Sequence, residues 1–138
     1  MNVENCLFCK MASGQIPVAK IYEDDVVLSF LDIGPVSDGH TLIIPKQHYE
    51  NIHSCPAELL GEVALRIGKI ADAVTNAMNS DGYNVMCNNG RAAGQVIDHL
   101  HFHLIPRRMG DGVFNRWPSY KYQEGRIDKI AEQIRKKF

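Results

Sequence analysis

Asp98-His99-Leu100-His101-Phe102-His103-Leu104-Ile105-Pro106 is the stretch that decides how the chain is read. His99, His101, His103 and Ile105 share one parity; Leu100, Phe102 and Leu104 share the other. Period 2 predicts a β-strand with one face on a core and a row of imidazoles on the other. Wound as a helix, the three imidazoles would fan through about 400° and share no surface. Pro106 is expected to end the strand, because proline cannot donate to a ladder. A rise of roughly 3.3 Å per residue sets neighbouring imidazoles about 6.6 Å apart and the outer pair about 13 Å apart. Two neighbours can share a metal, but three on a straight strand do not reach one ion whose Zn–N bonds are about 2.0–2.1 Å. The three histidines are therefore expected to have separate tasks. The bland alternative, a face of satisfied or pH-sensitive histidines, is a costly way to fill a core.

The rest of the chain bounds what that strand can serve. Its 138 residues suffice for one domain and one core. A net charge of −1 argues against a general nucleic-acid surface, which needs a basic excess. No apolar run approaches the roughly 18 residues of a membrane span. The start, Met1-Asn2-Val3-Glu4-Asn5, lacks the basic-then-apolar pattern of a signal peptide, so the cytoplasm is the default expectation. Four cysteines there are expected as ligands or free thiols rather than disulfides.

Cys6-Leu7-Phe8-Cys9 is half of a zinc-type ligand set, weak alone. No strand precedes it, which argues against a thioredoxin-like redox pair. His48 and His99 are candidates for the second half; the bland reading is two reduced thiols. A short helix is expected over Leu7–Ser13, closed by Gly14. Lys20–Glu23 and Val26–Leu31 read as strands around an Asp24-Asp25 turn. Asp32-Ile33-Gly34-Pro35 follows, and Thr41–Pro45 is a third strand with His40 just ahead of it. Pro56 begins the one long helix, to about Asn79, with Leu59, Leu60, Val63, Ile67, Ile70, Val74 and Met78 at 3–4 spacing. That helix is expected to cover the sheet face carrying Leu100, Phe102 and Leu104. Tyr83–Cys87 is the fourth strand. Asn88-Asn89-Gly90-Arg91-Ala92-Ala93-Gly94-Gln95 then forms a small-residue loop whose backbone N–H groups could cradle a phosphate. After Arg107 the chain loosens, and Ile127–Ile134 predicts a final amphipathic helix.

His99 to Ile105 fits His-φ-His-φ-His-φ-φ, with φ apolar, at every position, and Gly39-His40-Thr41-Leu42-Ile43-Ile44-Pro45-Lys46 precedes it in order. Both segments resemble the histidine triad (HIT) family, and most closely its HINT-like nucleotide phosphoramidases in the bacterial form with a zinc site. The resemblance runs from about Cys6 to Arg107. It implies a single α+β HIT-like domain over residues 1–138, with its core at about 6–107 and an extension at 108–138. It implies an antiparallel sheet of about five strands, one long helix and a short C-terminal helix, paired into a homodimer with a continuous sheet. It implies a structural zinc on Cys6, Cys9, His48 and His99. Asp32 is expected at the ribose, with Phe8, Phe30 and Ile33 flanking the base. Asn88, Gly94 and Gln95 match phosphate-contacting positions. Val96 stands where relatives often carry Ser or Thr, so a hydroxyl donor is lost while the main-chain N–H remains.

The chemistry that the resemblance implies is covalent. His101 attacks phosphorus, and water clears the nucleotidyl-histidine. The second nitrogen of His101 is held by a backbone carbonyl, while His103 and His40 donate to phosphate oxygens or orient the site. The expected activity is hydrolysis of purine nucleoside 5′-phosphoramidates or related AMP conjugates. Dinucleoside polyphosphate hydrolysis is the second enzymatic option. A nucleotide-binding regulatory or scaffold protein with incidental hydrolysis is the rival from another class. The nucleotidylyltransferase branch is disfavoured, because Leu100 occupies its proline position. Trp117, in the extension, is a residue that either reaches a partner or packs at home.

Overall fold

The computed structural model describes residues 3–114 and 118–138. Trp117, singled out above, lies outside the described residues. In chain order the elements are α1 (Leu7–Ala12), β1 (Lys20–Glu23), β2 (Val27–Leu31), β3 (Thr41–Pro45), α2 (Ala57–Met78), β4 (Gly82–Met86), β5 (Phe102–Arg107) and α3 (Arg126–Arg135). The five strands form one sheet in the order β1-β2-β3-β5-β4, every neighbouring pair antiparallel. The expected α+β architecture, with one long helix and one C-terminal helix, is the one observed.

The sheet has an apolar layer on each face. On one, α2 lays Val63, Ile70, Ala71 and Val74 over Val27, Ile43 and Leu104, with Phe102 packed against them. Phe102 and Leu104 lie on the face predicted for them; Leu100, predicted with them, precedes the strand and is buried outside this layer. On the other, Cys6 and Phe8 cover Leu28, Phe30, Leu42 and Ile44. Helix α2 follows the predicted bounds: Pro56 stands at its N-cap, and Asn79 closes it in the left-handed region, φ +48°. Asp24 makes the β1–β2 turn, its Oδ1 accepting from the N–H groups of Val26 and Val27. Among the described residues no helix is long and apolar enough to cross a membrane.

The triad strand departs from its prediction at both ends. It begins at Phe102, not His99. Register pairs Ile43 with Phe102, and there the chain leaves the ladder. The N–H of Leu100 donates instead to Tyr49 O at 2.6 Å, and that of His99 to Ile97 O at 2.9 Å. At the other end the strand runs through Pro106 to Arg107. Pro106 O accepts from Ser37 Oγ at 2.8 Å, on the β3 side, and the proline nitrogen faces the same way. That side is beyond the first residue of β3, so the missing N–H costs no ladder bond.

Candidate active site

Because His99 and His101 precede β5, their rings need not stand in a straight row. The ring centroids of His101 and His103 are 5.0 Å apart, closer than strand rise alone allows. His101 is 6% exposed, and that exposure faces a cavity of about 550 Å³ that it lines with His103. Its Nδ1 donates to the carbonyl of His99 at 2.6 Å. The proton is thereby fixed on Nδ1, and the Nε2 lone pair is left free. Phe8 stands edge-on to this ring, centroids 5.1 Å apart.

A second imidazole pair fixes its protons in the opposite sense. Val36 N–H donates to His40 Nδ1 at 3.2 Å, so the His40 proton sits on Nε2. That Nε2 meets His103 Nδ1 at 2.9 Å and donates to it. His103 must then carry its own proton on Nε2. The wiring yields one imidazole with a free lone pair, His101, and one with a free N–H, His103. Burial, then positive charge on His101 and His40, would oppose protonation of His103 and pull its pKa down to about 4. Burial lowers that of His40 as well, against the pull of the Asp32 carboxylate. Asp32 Oδ2 lies 3.7 Å from His40 Nε2, so Asp32, His40 and His103 cluster closely enough to suggest metal ligands. The Val36 N–H decides against that use, since it occupies the His40 lone pair and leaves N–H, not lone pair, at Nε2.

Cys6, Cys9, His48 and His99 do come together, their ligand atoms all within 4.8 Å of one another. His99 Nδ1 is 3.4 Å from Cys6 Sγ and 3.5 Å from Cys9 Sγ. His48 Nδ1 is 3.4 Å from Cys9 Sγ and 3.2 Å from His99 Nδ1. A tetrahedron with Zn–S of about 2.3 Å and Zn–N of about 2.0–2.1 Å has S···N edges of about 3.6 Å and N···N edges of about 3.3 Å. The donor set therefore fits a four-coordinate zinc. His99 Nε2 donates to Pro45 O at 2.8 Å, which aims the Nδ1 lone pair at the centre of the set. Burial, then the neighbouring Cys6, push the Cys9 thiol up to about 11; a bound cation is the group that would ionise it.

Of the residues expected at the nucleotide, Phe8, Phe30, Asp32, Ile33, Asn88, Gly94 and Val96 all line the cavity. Asp32 serves in part as a turn acceptor: its Oδ1 takes the N–H of Gly34 at 2.8 Å. Gln95 is not among the lining residues; it is 3% exposed and its side-chain amide is bonded to main chain. Leu7, Met11, Val18, Leu42 and Ile97 also line the cavity, with Pro17, Ala19 and Leu31, and none of these was singled out from sequence as a cavity residue. Leu7 and Met11 lie four apart on α1, and that spacing is the signal available for them.

The HIT domain family profile matches residues 13–110. The chain is 42% identical over 135 residues to the adenosine 5′-monophosphoramidase hnt1 of Schizosaccharomyces pombe, covering 97% of this chain and 98% of that protein. A Streptococcus mutans crystal structure superposes with a TM-score of 0.91 at 42% identity, over 99% of this chain and 86% of that one. A zinc-bound histidine triad family protein from Mycobacterium smegmatis superposes with a TM-score of 0.77 at 33% identity, over 99% of this chain and all 100% of that one. The chain belongs to the HIT domain family.

Proposed function

We propose that the protein is a hydrolase of purine nucleoside 5′-phosphoramidates or related AMP conjugates, acting through a covalent nucleotidyl-histidine. The observation that carries this reading is the His101 ring. Its Nδ1 proton is held by the His99 carbonyl, so its Nε2 lone pair is free in a cavity large enough for a nucleotide. The similarity to a monophosphoramidase supports the substrate class.

In this mechanism the base lies among Phe8, Phe30 and Ile33, and the free oxygen of Asp32 accepts from the ribose hydroxyls. His101 Nε2 attacks phosphorus as the P–N bond breaks; the substrate enters protonated on that nitrogen, as P–NH2R⁺, so the bonding pair departs with it as a neutral amine. The imidazolium formed keeps its Nδ1–H on the His99 carbonyl, which stabilises the charge. His103 donates from Nε2 to a phosphoryl oxygen. With its pKa near 4 it is a hydrogen-bond donor near neutral pH rather than a proton source. Water then attacks phosphorus and gives up a proton to solvent, the P–Nε2 electron pair returns to His101, and AMP is released.

A structural zinc on Cys6, Cys9, His48 and His99 is part of the same reading, supported by the donor geometry and by the zinc-bound relative. So is one domain over 1–138, acting in the cytoplasm as a homodimer. Strand β4 is a sheet edge, with Tyr83 and Val85 exposed on it, where a second copy could extend the ladder. The test is turnover of a fluorogenic adenosine phosphoramidate by the parent and by His101→Ala. Turnover should fall at least 10³-fold in the variant; unchanged turnover removes His101 as nucleophile. Nucleotide binding with no turnover in the parent would favour the scaffold reading instead.

A further inference from the structure

Gln95 sits between two residues that line the cavity, Gly94 and Val96, yet turns its side chain the other way. Its Oε1 accepts the N–H of Gly90 at 2.8 Å. Its Nε2 donates to Glu50 O at 2.7 Å and to Ile97 O at 3.1 Å. One donor facing the oxygen and two carbonyls facing the nitrogen leave a single way to place the amide. Both amide protons are consumed, so the side chain has no N–H left for a ligand. The main-chain N–H of Gln95 closes the same loop on Gly90 O at 3.1 Å. A second side chain crosses the seam nearby: Asn89 Oδ1 accepts from Ile52 N at 2.9 Å. The loop from Asn88 to Ile97 is thus pinned to the segment after β3 by side-chain amides reaching main chain.

We infer that Gln95 is a positioning residue. Its amide holds this loop in the shape that presents the main chain of Gly94 and Val96 to a bound phosphoryl group. Gln95 itself does not touch that group. This inference rests on the nucleotide reading of the cavity.

The substitutions Gln95→Ala and Gln95→Glu test it. Glutamate keeps the acceptor for Gly90 N but faces two carbonyls with a carboxylate. Burial raises the pKa of such a carboxyl, and its protonated form regains one donor. Amide hydrogen exchange in the ligand-free protein is the first readout, with affinities for AMP and for adenosine as the second. Exchange at Gly90 should quicken at least tenfold in Gln95→Ala, which removes its acceptor, and by less in Gln95→Glu, which keeps it. AMP affinity should fall about tenfold while adenosine affinity stays within about twofold. The Gln95→Glu losses should shrink as pH falls from 8 to 6. Weakened AMP binding with ligand-free exchange unchanged would make Gln95 a direct phosphate contact and overturn the inference. Unchanged exchange with unchanged affinity would overturn it as well. A parent protein that binds neither ligand would overturn the nucleotide reading alone, because exchange reports the bracing without one.

Discussion

His103 carries the pH dependence most open to measurement. Its folded pKa, near 4, lies below the ordinary 6.5, so the unfolded chain binds the extra proton between those values. Stability contributed by the neutral ring is fully present above 6.5 and is lost as pH falls toward 4. His103→Asn should therefore flatten the slope of Tm against pH in that window; an identical slope in parent and variant would remove His103 as its source. Ser29 offers a second test at this scale. Its hydroxyl is fully buried on β2 with no hydrogen-bond partner among the described residues. Leaving such a group unpaired costs about 1–3 kcal/mol. Ser29→Ala should raise the unfolding free energy by about 1 kcal/mol, read as a higher urea midpoint with an unchanged slope.

At the scale of elements, the turn into β3 sets the position of His40. Gly39 has φ +85°, and a Cβ there would fall 2.5 Å from Met78 Cγ and 3.2 Å from Pro106 Cγ. Gly39→Ala should cost about 1–3 kcal/mol in chemical denaturation and lower turnover by displacing His40 from His103. A variant as stable and active as the parent would refute the close fit. How much the sequence disclosed follows the same scale. Helix α2 was legible to within a residue because seven apolar positions repeat at 3–4 spacing and Pro56 marks its start. The parity of β5 was legible, but its beginning was not. His99 and Leu100 are drawn off the ladder by Pro45 and Tyr49, partners about fifty residues away that no local pattern encodes. The chemistry-bearing histidines were legible by residue type, and their proton assignments were not, because these depend on Val36 N–H and His99 O. Gln95 was placed in the right loop, but the direction of its side chain is set by Glu50, far away in sequence.

Across the whole molecule, the four candidate ligands join three separated parts of the chain. Cys6 and Cys9 come from the cap and body of α1, His48 from the segment after β3, and His99 from the approach to β5. The same α1 supplies Leu7, Phe8 and Met11 to the cavity wall. The His99 carbonyl also holds the Nδ1 proton of His101. A metal bound there would tie the wall of the cavity and the support of the nucleophile to one centre. Six residues of helix are too few to hold α1 in place by themselves. Cys9→Ser is the cleanest perturbation, since Cys6 also caps α1 by accepting from the Cys9 N–H at 3.4 Å. Zinc content per chain should drop well below that of the parent, with Tm lower by about 5–10 °C and AMP affinity reduced. Chelator treatment of the parent should reproduce the Tm loss and leave Cys9→Ser nearly unaffected. Equal zinc content in variant and parent, with the same Tm, would rule out this set as the metal centre and leave α1 held by its apolar face alone.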